Sequence, residues 1–177
     1  MTVEEVGAAP ARELLRGLLD VAIATADPFR CIVQHLPKPP KGRTIVVGAG
    51  KAAASMARAL ELSWPKPLSG MVVTRYGHAV DTLRIEVVEA AHPVPDEQGD
   101  RAARTILKMV SNLTEDDLVI CLLSGGGSSL LSSPLSGISL CDLQKMNWLL
   151  LQSGASITEM NCIRRQIGAL SGIAANL

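Results

Sequence analysis

The segment Leu118-Val119-Ile120-Cys121-Leu122-Leu123 runs without a polar residue into Ser124-Gly125-Gly126-Gly127-Ser128-Ser129. A strand with one wet face alternates polar and apolar residues, whereas an unbroken apolar run is the pattern of a parallel strand covered by helices on both faces. The run stops at three consecutive glycines, which lose much conformational freedom on folding and so mark a turn with a specific backbone requirement. A second unit of the same kind lies upstream. Thr44-Ile45-Val46-Val47 is apolar and β-branched, Gly48-Ala49-Gly50 breaks it, and an alanine-rich helix is expected from Lys51 to about Ser63, ahead of Pro65.

Between these units, Met71-Val72-Val73-Thr74 and Ile85-Glu86-Val87-Val88 predict two more strands, separated by a polar turn with Gly77 and His78. A helix follows, with Ala102, Ala103, Ile106, Leu107, Met109 and Val110 on one face. Downstream, Ser139 with Asp142 caps a helix through Leu143, Met146, Leu149 and Leu150, and Ser156 with Glu159 forms a capping box for a helix through Ile163 and Ile167. At the other end, Leu14, Leu15, Leu18, Val21 and Ala22 recur at helical spacing over residues 11–26, and Asp27-Pro28 closes the pattern. The proline-rich stretch 36–42 reads as a surface connection. Strands alternating with helices imply right-handed crossovers and a Rossmann-like three-layer α/β/α fold with a mainly parallel sheet.

Composition narrows the function classes. The 177 residues are 47% hydrophobic and 19% charged, enough apolar mass for a core. Lys plus Arg equals Asp plus Glu at 17 each, so the basic field expected of a nucleic-acid or anionic-membrane binder is missing. Aromatic residues are 2%, too few for base-stacking platforms. Small molecules are the expected partners. Cys31, Cys121, Cys141 and Cys162 form no Cys-x-x-Cys pair and are expected to be reduced core residues. No leader pattern is visible and no apolar run approaches the roughly 20 residues of a membrane span, so a cytoplasmic protein is expected.

In an open α/β sheet, ligands sit outside the carboxyl ends of the strands. Gly48-x-Gly50-x-x-Ala53 meets a relaxed dinucleotide fingerprint, but Thr74-Arg75-Tyr76-Gly77 stands where a ribose-binding acid belongs. Lys51 either lies solvated on a helix edge or neutralises phosphate. The loop formed by Ser124, Gly125, Gly126, Gly127, Ser128 and Ser129 is either an anion nest or a tight turn. It lacks the last glycine of a Gly-x-Ser-x-Gly elbow, which disfavours a serine hydrolase. His92-Pro93-Val94-Pro95-Asp96 is a stiff loop that aims His92 and Asp96 at the rim or tethers the loop. Asn161 and Arg164, three apart, share a helix face and suit a carboxylate or phosphate unless that face is merely solvated. No histidine or cysteine spacing predicts a transition-metal site, and the metal ligands are unknown.

Taken in order, Gly48-Ala49-Gly50-Lys51-Ala52-Ala53, His92-Pro93-Val94-Pro95-Asp96, Ser124-Gly125-Gly126-Gly127-Ser128-Ser129-Leu130 and Asn161-x-x-Arg164 resemble the MOFRL-type glycerate 2-kinases, some members of which carry the name hydroxypyruvate reductase. The resemblance covers about Ala11 to Ser171. It implies ATP-dependent phosphorylation of D-glycerate to 2-phosphoglycerate with Mg2+ and ATP as cofactors. Lys51 is then the cation beside the transferring phosphate, Gly48, Gly50 and the 124–129 loop the phosphate or substrate cradle, and Asn161 and Arg164 the groups that orient anionic substrate. His92 and Asp96 fall at the rim with open roles.

The family's Leu-Ser-x-x-Lys-Gly-Gly agrees at Leu170-Ser171 and departs at Ala174-Ala175-Asn176. Residues 1–171 are therefore expected to be the N-terminal kinase-like domain, 172–177 a divergent tail, and the family's MOFRL domain absent. Such a shortened product should expose apolar surface and have little or no activity. A nicotinamide-dependent reductase and a non-enzymatic interaction product are the competing readings. Oligomeric state is left open.

Overall fold

The computed structural model describes residues 3–168. The divergent tail at 172–177 and the Leu170-Ser171 agreement lie outside the described residues. In chain order the elements are α1 (Val3–Thr25), α2 (Pro28–Cys31), a 3-10 turn (Val33–His35), β1 (Thr44–Ala49), α3 (Ala53–Ser63), β2 (Ser69–Arg75), β3 (Ile85–Ala90), α4 (Glu97–Met109), β4 (Leu118–Leu123), α5 (Gly127–Leu130), α6 (Leu140–Gln152) and α7 (Ile157–Ile167).

The four strands form one sheet in the order β3-β2-β1-β4, every pair parallel. Helices cover both faces. On one, Val46, Val72, Ile85 and Leu122 pack against Ala53, Ala57 and Leu60 of α3, with Trp64 and Leu68 closing the layer. On the other, Ile45, Val47, Met71 and Val73 pack against Ala102 and Ile106 of α4 and Leu130 of α5. This is the expected three-layer α/β/α arrangement. Alanine is the residue that brings α3 and α4 close to the sheet, because a short side chain keeps the layers tight.

The β2–β3 connection, residues 76–84, contains no helix and is held by a buried carboxylate. Glu61 on α3 accepts hydrogen bonds from the N–H groups of Leu83 (2.8 Å), Arg84 (2.6 Å) and Ile85 (2.6 Å). Three charge-assisted bonds compensate the desolvation of an acid that is only 8% exposed. At the entrance to the sheet, Arg43 donates from its backbone N–H and its guanidinium to Asp117, each at 2.7 Å, tying the starts of β1 and β4 together.

Three expectations are corrected. β4 is the edge strand, and Val119, Cys121 and Leu123 are exposed rather than covered on both faces. The cysteines are free, as expected, but they are not core: Cys31 is half-buried and Cys121, Cys141 and Cys162 are exposed. The first α/β unit turns more slowly than predicted, so that α3 begins at Ala53 and Lys51 belongs to the turn before it. The opening helix does end ahead of Asp27-Pro28, at Thr25, and a short second helix starts there. Asp27 caps α2 by accepting from the Phe29 N–H, and Pro28 takes the first helical position, where its missing N–H has no partner to lose.

Apolar surface is exposed, as the sequence led us to expect. α1 presents Leu14, Leu15, Leu18, Leu19 and Ile23 to solvent, and α6 presents Trp148 and Leu149.

Candidate functional site

The strand order places the switch of direction between β1 and β4, since the chain winds outward from β1 through β2 to β3 and then returns to the far side of β1. The two glycine-rich turns leave the carboxyl ends of these two strands. They interlock through the main chain. Ser124 N–H donates to the Ala49 carbonyl (3.1 Å), and Lys51 N–H donates to the Gly125 carbonyl (3.0 Å). The Ser124 hydroxyl accepts from Ala52 N–H at 3.0 Å. Gly50 N–H donates sideways to the Val73 carbonyl of β2 (3.0 Å), and the Thr74 hydroxyl donates to the Lys51 carbonyl (3.5 Å).

This arrangement reassigns the donors of the glycine fingerprint. The N–H groups of Gly50, Lys51 and Ala52 all point into the protein and are satisfied there. Gly48 lies inside β1, buried, where a Cβ would strike the backbone of Leu122. Gly50 has φ of +138°, and its missing side chain makes room for Ser124. The open donors lie across the switch point. Among the described residues, the N–H groups of Gly125 and Gly126 donate to no protein group, and Gly125 and Ser128 are exposed. Gly127, Ser128 and Ser129 do not stay in a loop but form the short α5, with Ser129 buried and its hydroxyl donating to the Gly126 carbonyl (3.1 Å).

His92 closes over this turn. Gly126 has φ of +93°, and a Cβ there would come 2.8 Å from His92 Nε2. Burial pushes the His92 imidazole below its ordinary pKa, and the positive charges of Lys51, Arg75 and Arg164 push it further the same way. Those three residues come from the turn after β1, the end of β2, and α7, so the structure gathers cations from three elements around one rim. Arg75 entered the sequence reading only as the residue standing in place of an acid. Its position at the last residue of a strand was the available signal, because the rim is where such sheets bind ligands.

Asp96 is placed as the N-cap of α4. Its carboxylate accepts from Gly99 N–H (3.0 Å) and from the Tyr76 hydroxyl (2.7 Å), and that bond raises the Tyr76 pKa. Both carboxylate oxygens hold the loop and the helix in place. Asn161 and Arg164 do share a face of α7: Arg164 Nη1 lies 3.5 Å from Asn161 Oδ1. The Arg164 guanidinium is half-buried, and desolvation lowers its pKa.

The His92 environment gives a signed expectation for acid stability. The folded chain keeps the imidazole neutral below the ordinary titration range, whereas the unfolded chain takes up a proton near pH 6.5. Stability contributed by the neutral form is therefore present above about pH 6.5 and declines as the pH falls below it. Urea melts at pH 7.5 and pH 5.5 should show a larger loss for the wild type than for His92→Gln. Equal losses would mean that His92 protonates as freely in the fold as in the unfolded chain.

Fold and site together define a class: a parallel three-layer α/β domain with a cation-lined rim at the β1–β4 switch point. Residues 14–173 match the family model described as a domain of unknown function, DUF4147, and the chain belongs to that family. It is 42% identical over 163 residues to the D-glycerate 2-kinase of Thermotoga maritima, a match spanning 91% of this chain and 39% of the relative. A protein of Agrobacterium vitis whose name refers to hydroxypyruvate reductase is 53% identical over 92% of this chain and 37% of its own length. The crystal structure of the Thermotoga maritima glycerate kinase superposes with a TM-score of 0.80 at 41% identity, covering 92% of this chain and 40% of that one. The chain thus spans under half the length of these relatives. The family resemblance read from the ordered motifs holds, and so does the three-layer fold inferred with it.

Proposed function

We propose that the chain supplies the phosphate- and substrate-anchoring wall of an ATP-dependent D-glycerate 2-kinase, a cytoplasmic enzyme that moves the γ-phosphoryl group of ATP to the 2-hydroxyl of D-glycerate. The observation that carries this reading is the main-chain bond from Lys51 to Gly125, which sets the residue bearing an exposed ammonium beside a turn whose Gly125 and Gly126 N–H groups are open. Phosphoryl transfer asks little covalent chemistry of a protein and much positioning and charge stabilisation. In this role Lys51 neutralises phosphoryl oxygens, Gly125, Gly126 and Ser128 donate to them, and Arg164 beside Asn161 binds the substrate's anionic end. His92, held neutral, accepts a hydrogen bond from the substrate without adding repulsion to the cationic rim.

The relatives' kinase names support ATP as the phosphate donor. Among the described residues no three His, Cys, Asp or Glu side chains gather to hold a metal, and the magnesium that the family resemblance implies needs few protein ligands when ATP supplies phosphate oxygens. The cations at the rim are Lys51, Arg75 and Arg164. No described helix is long and apolar enough to cross a membrane.

The hydroxypyruvate reductase name of one relative motivates a second reading, nicotinamide-dependent reduction. Arg75 at the end of β2, where an acid would hold the ribose, argues against it. Both are tested together. The chain is incubated with Mg-ATP and D-glycerate and followed by phosphorus NMR, then titrated with inorganic phosphate and with NADH. Formation of 2-phosphoglycerate, or phosphate binding without turnover, is the expected result. NADH binding with no phosphate binding would replace the kinase reading with the reductase one, and binding of neither would remove both.

A further inference from the structure

Arg164 is partnered in an unusual way. A half-buried guanidinium ordinarily meets a carboxylate, because an unpaired buried charge is strongly unfavourable. Among the described residues no carboxylate reaches Arg164. Its polar neighbours are two neutral amides: Nε donates to Asn147 Oδ1 at 3.0 Å and Nη1 to Asn161 Oδ1 at 3.5 Å.

Asn147 itself is fixed. It sits on α6 at 2% exposure, and its Nδ2 donates to the Leu143 carbonyl at 2.9 Å. With the amide nitrogen committed to its own helix, the oxygen is left as the acceptor that faces Arg164, and the amide cannot flip without losing both bonds. The same helix is tied to the loop that carries His92, through Gln144 Nε2 donating to the Pro95 carbonyl at 2.9 Å. α6 thus fixes both Arg164 and the His92 loop in one frame.

We infer that Asn147 is a positioning residue that orients the Arg164 guanidinium toward an oxyanion of the substrate while leaving its charge unquenched. An aspartate at this position would hold the arginine at least as firmly but would neutralise it. A neutral amide holds it and leaves the positive charge to be met by a carboxylate or phosphate oxygen, and the remaining guanidinium edge can make the charge-assisted contact. This rests on the anion-site reading above, and it adds a residue on a helix that the sequence motifs did not touch.

The test is a double-mutant cycle on the full chain, read by titration with inorganic phosphate and separately with D-glycerate, the two sources of oxyanion. Whichever probe Arg164→Ala weakens most is the one that Arg164 holds. Asn147→Ala should weaken that probe about 10-fold, in line with one charge-assisted hydrogen bond, and should add nothing in the Arg164→Ala background. Asn147→Asp is nearly isosteric and retains an acceptor for Nε while giving up the bond to the Leu143 carbonyl; it should melt cooperatively, at a lower midpoint, and still bind the probe about 10-fold more weakly. That combination keeps the test decisive should Asn147→Ala unfold. Undiminished binding in Asn147→Asp, or an Asn147→Ala effect that persists without Arg164, would overturn the inference and leave the anion site standing. Failure of the wild type to bind either probe would overturn the anion site and this inference with it.

Discussion

Gly50→Ala is expected to lower the melting temperature by about 10 °C and to abolish phosphate binding at the same time. Two penalties add at this position. The backbone has φ of +138°, a region that L side chains rarely adopt, and the strain is about 1–3 kcal/mol. A Cβ would also overlap the Ser124 hydroxyl and sit 2.6 Å from the Ser124 carbonyl oxygen, which belongs to backbone and cannot rotate away. Overpacking of this kind costs a further 1–3 kcal/mol or so. For a domain of this size each kcal/mol shifts the midpoint by about 2–4 °C. Relief of the clash must part the two turns, breaking the Lys51–Gly125 and Ala52–Ser124 bonds that aim the open donors. Gly77→Ala is the matched control: φ is +77° but a Cβ meets nothing within 4 Å, so only the conformational penalty applies. Circular-dichroism melts of the two variants decide the matter. Equal shifts would mean that the interlocked turns have room to move.

Lys51→Ala should do the opposite, removing most phosphate affinity while leaving the melt within a degree or two of the wild type. The Lys51 side chain is exposed and, among the described residues, makes no side-chain hydrogen bond or ion pair, so the fold loses nothing on its truncation. What it supplies to a bound phosphate is a charge-assisted bond, and its loss should weaken binding about 10- to 100-fold. The remaining N–H donors should show less salt dependence once the ammonium is gone. Phosphate titrations at two ionic strengths check both points. Retained affinity at low salt would show that the main-chain donors bind without a cation's help.

How much of this was legible beforehand follows from what each residue depends on. The strands were legible because Thr44-Ile45-Val46-Val47 and Leu118–Leu123 carry their own signature in local composition. The rim was legible because strand order in such folds places ligands at the ends of specific strands. The exposure of Val119, Cys121 and Leu123 was not legible: an unbroken apolar run reports that both faces suit a cover, and says nothing of whether this stretch of chain supplies it. The helix start was placed two residues early, at Lys51 instead of Ala53, since Gly50 at positive φ delays it and sequence alone does not report φ. Asp96 was singled out for chemistry, although its spacing to Gly99 is also that of a helix cap, and a cap is where the structure puts it. Asn147 escaped notice altogether. A polar residue at a buried helix position stands out only when its partner is known, and Arg164 lies seventeen residues away on another helix.

The contacts that join the two rim turns run mostly between main-chain groups, from Ala49 to Ser124 and from Lys51 to Gly125. Every non-proline residue carries these groups, so side chains at exposed positions such as 51, 125 and 128 can drift without disturbing the distance between the turns. Geometry is guarded by a few glycines, and in the proposed anion site the ligand preference would be written by the residues around them. A scaffold divided in this way is evolvable: a lineage can exchange one small anion for another by rewriting exposed side chains, while the frame that presents them is inherited unchanged.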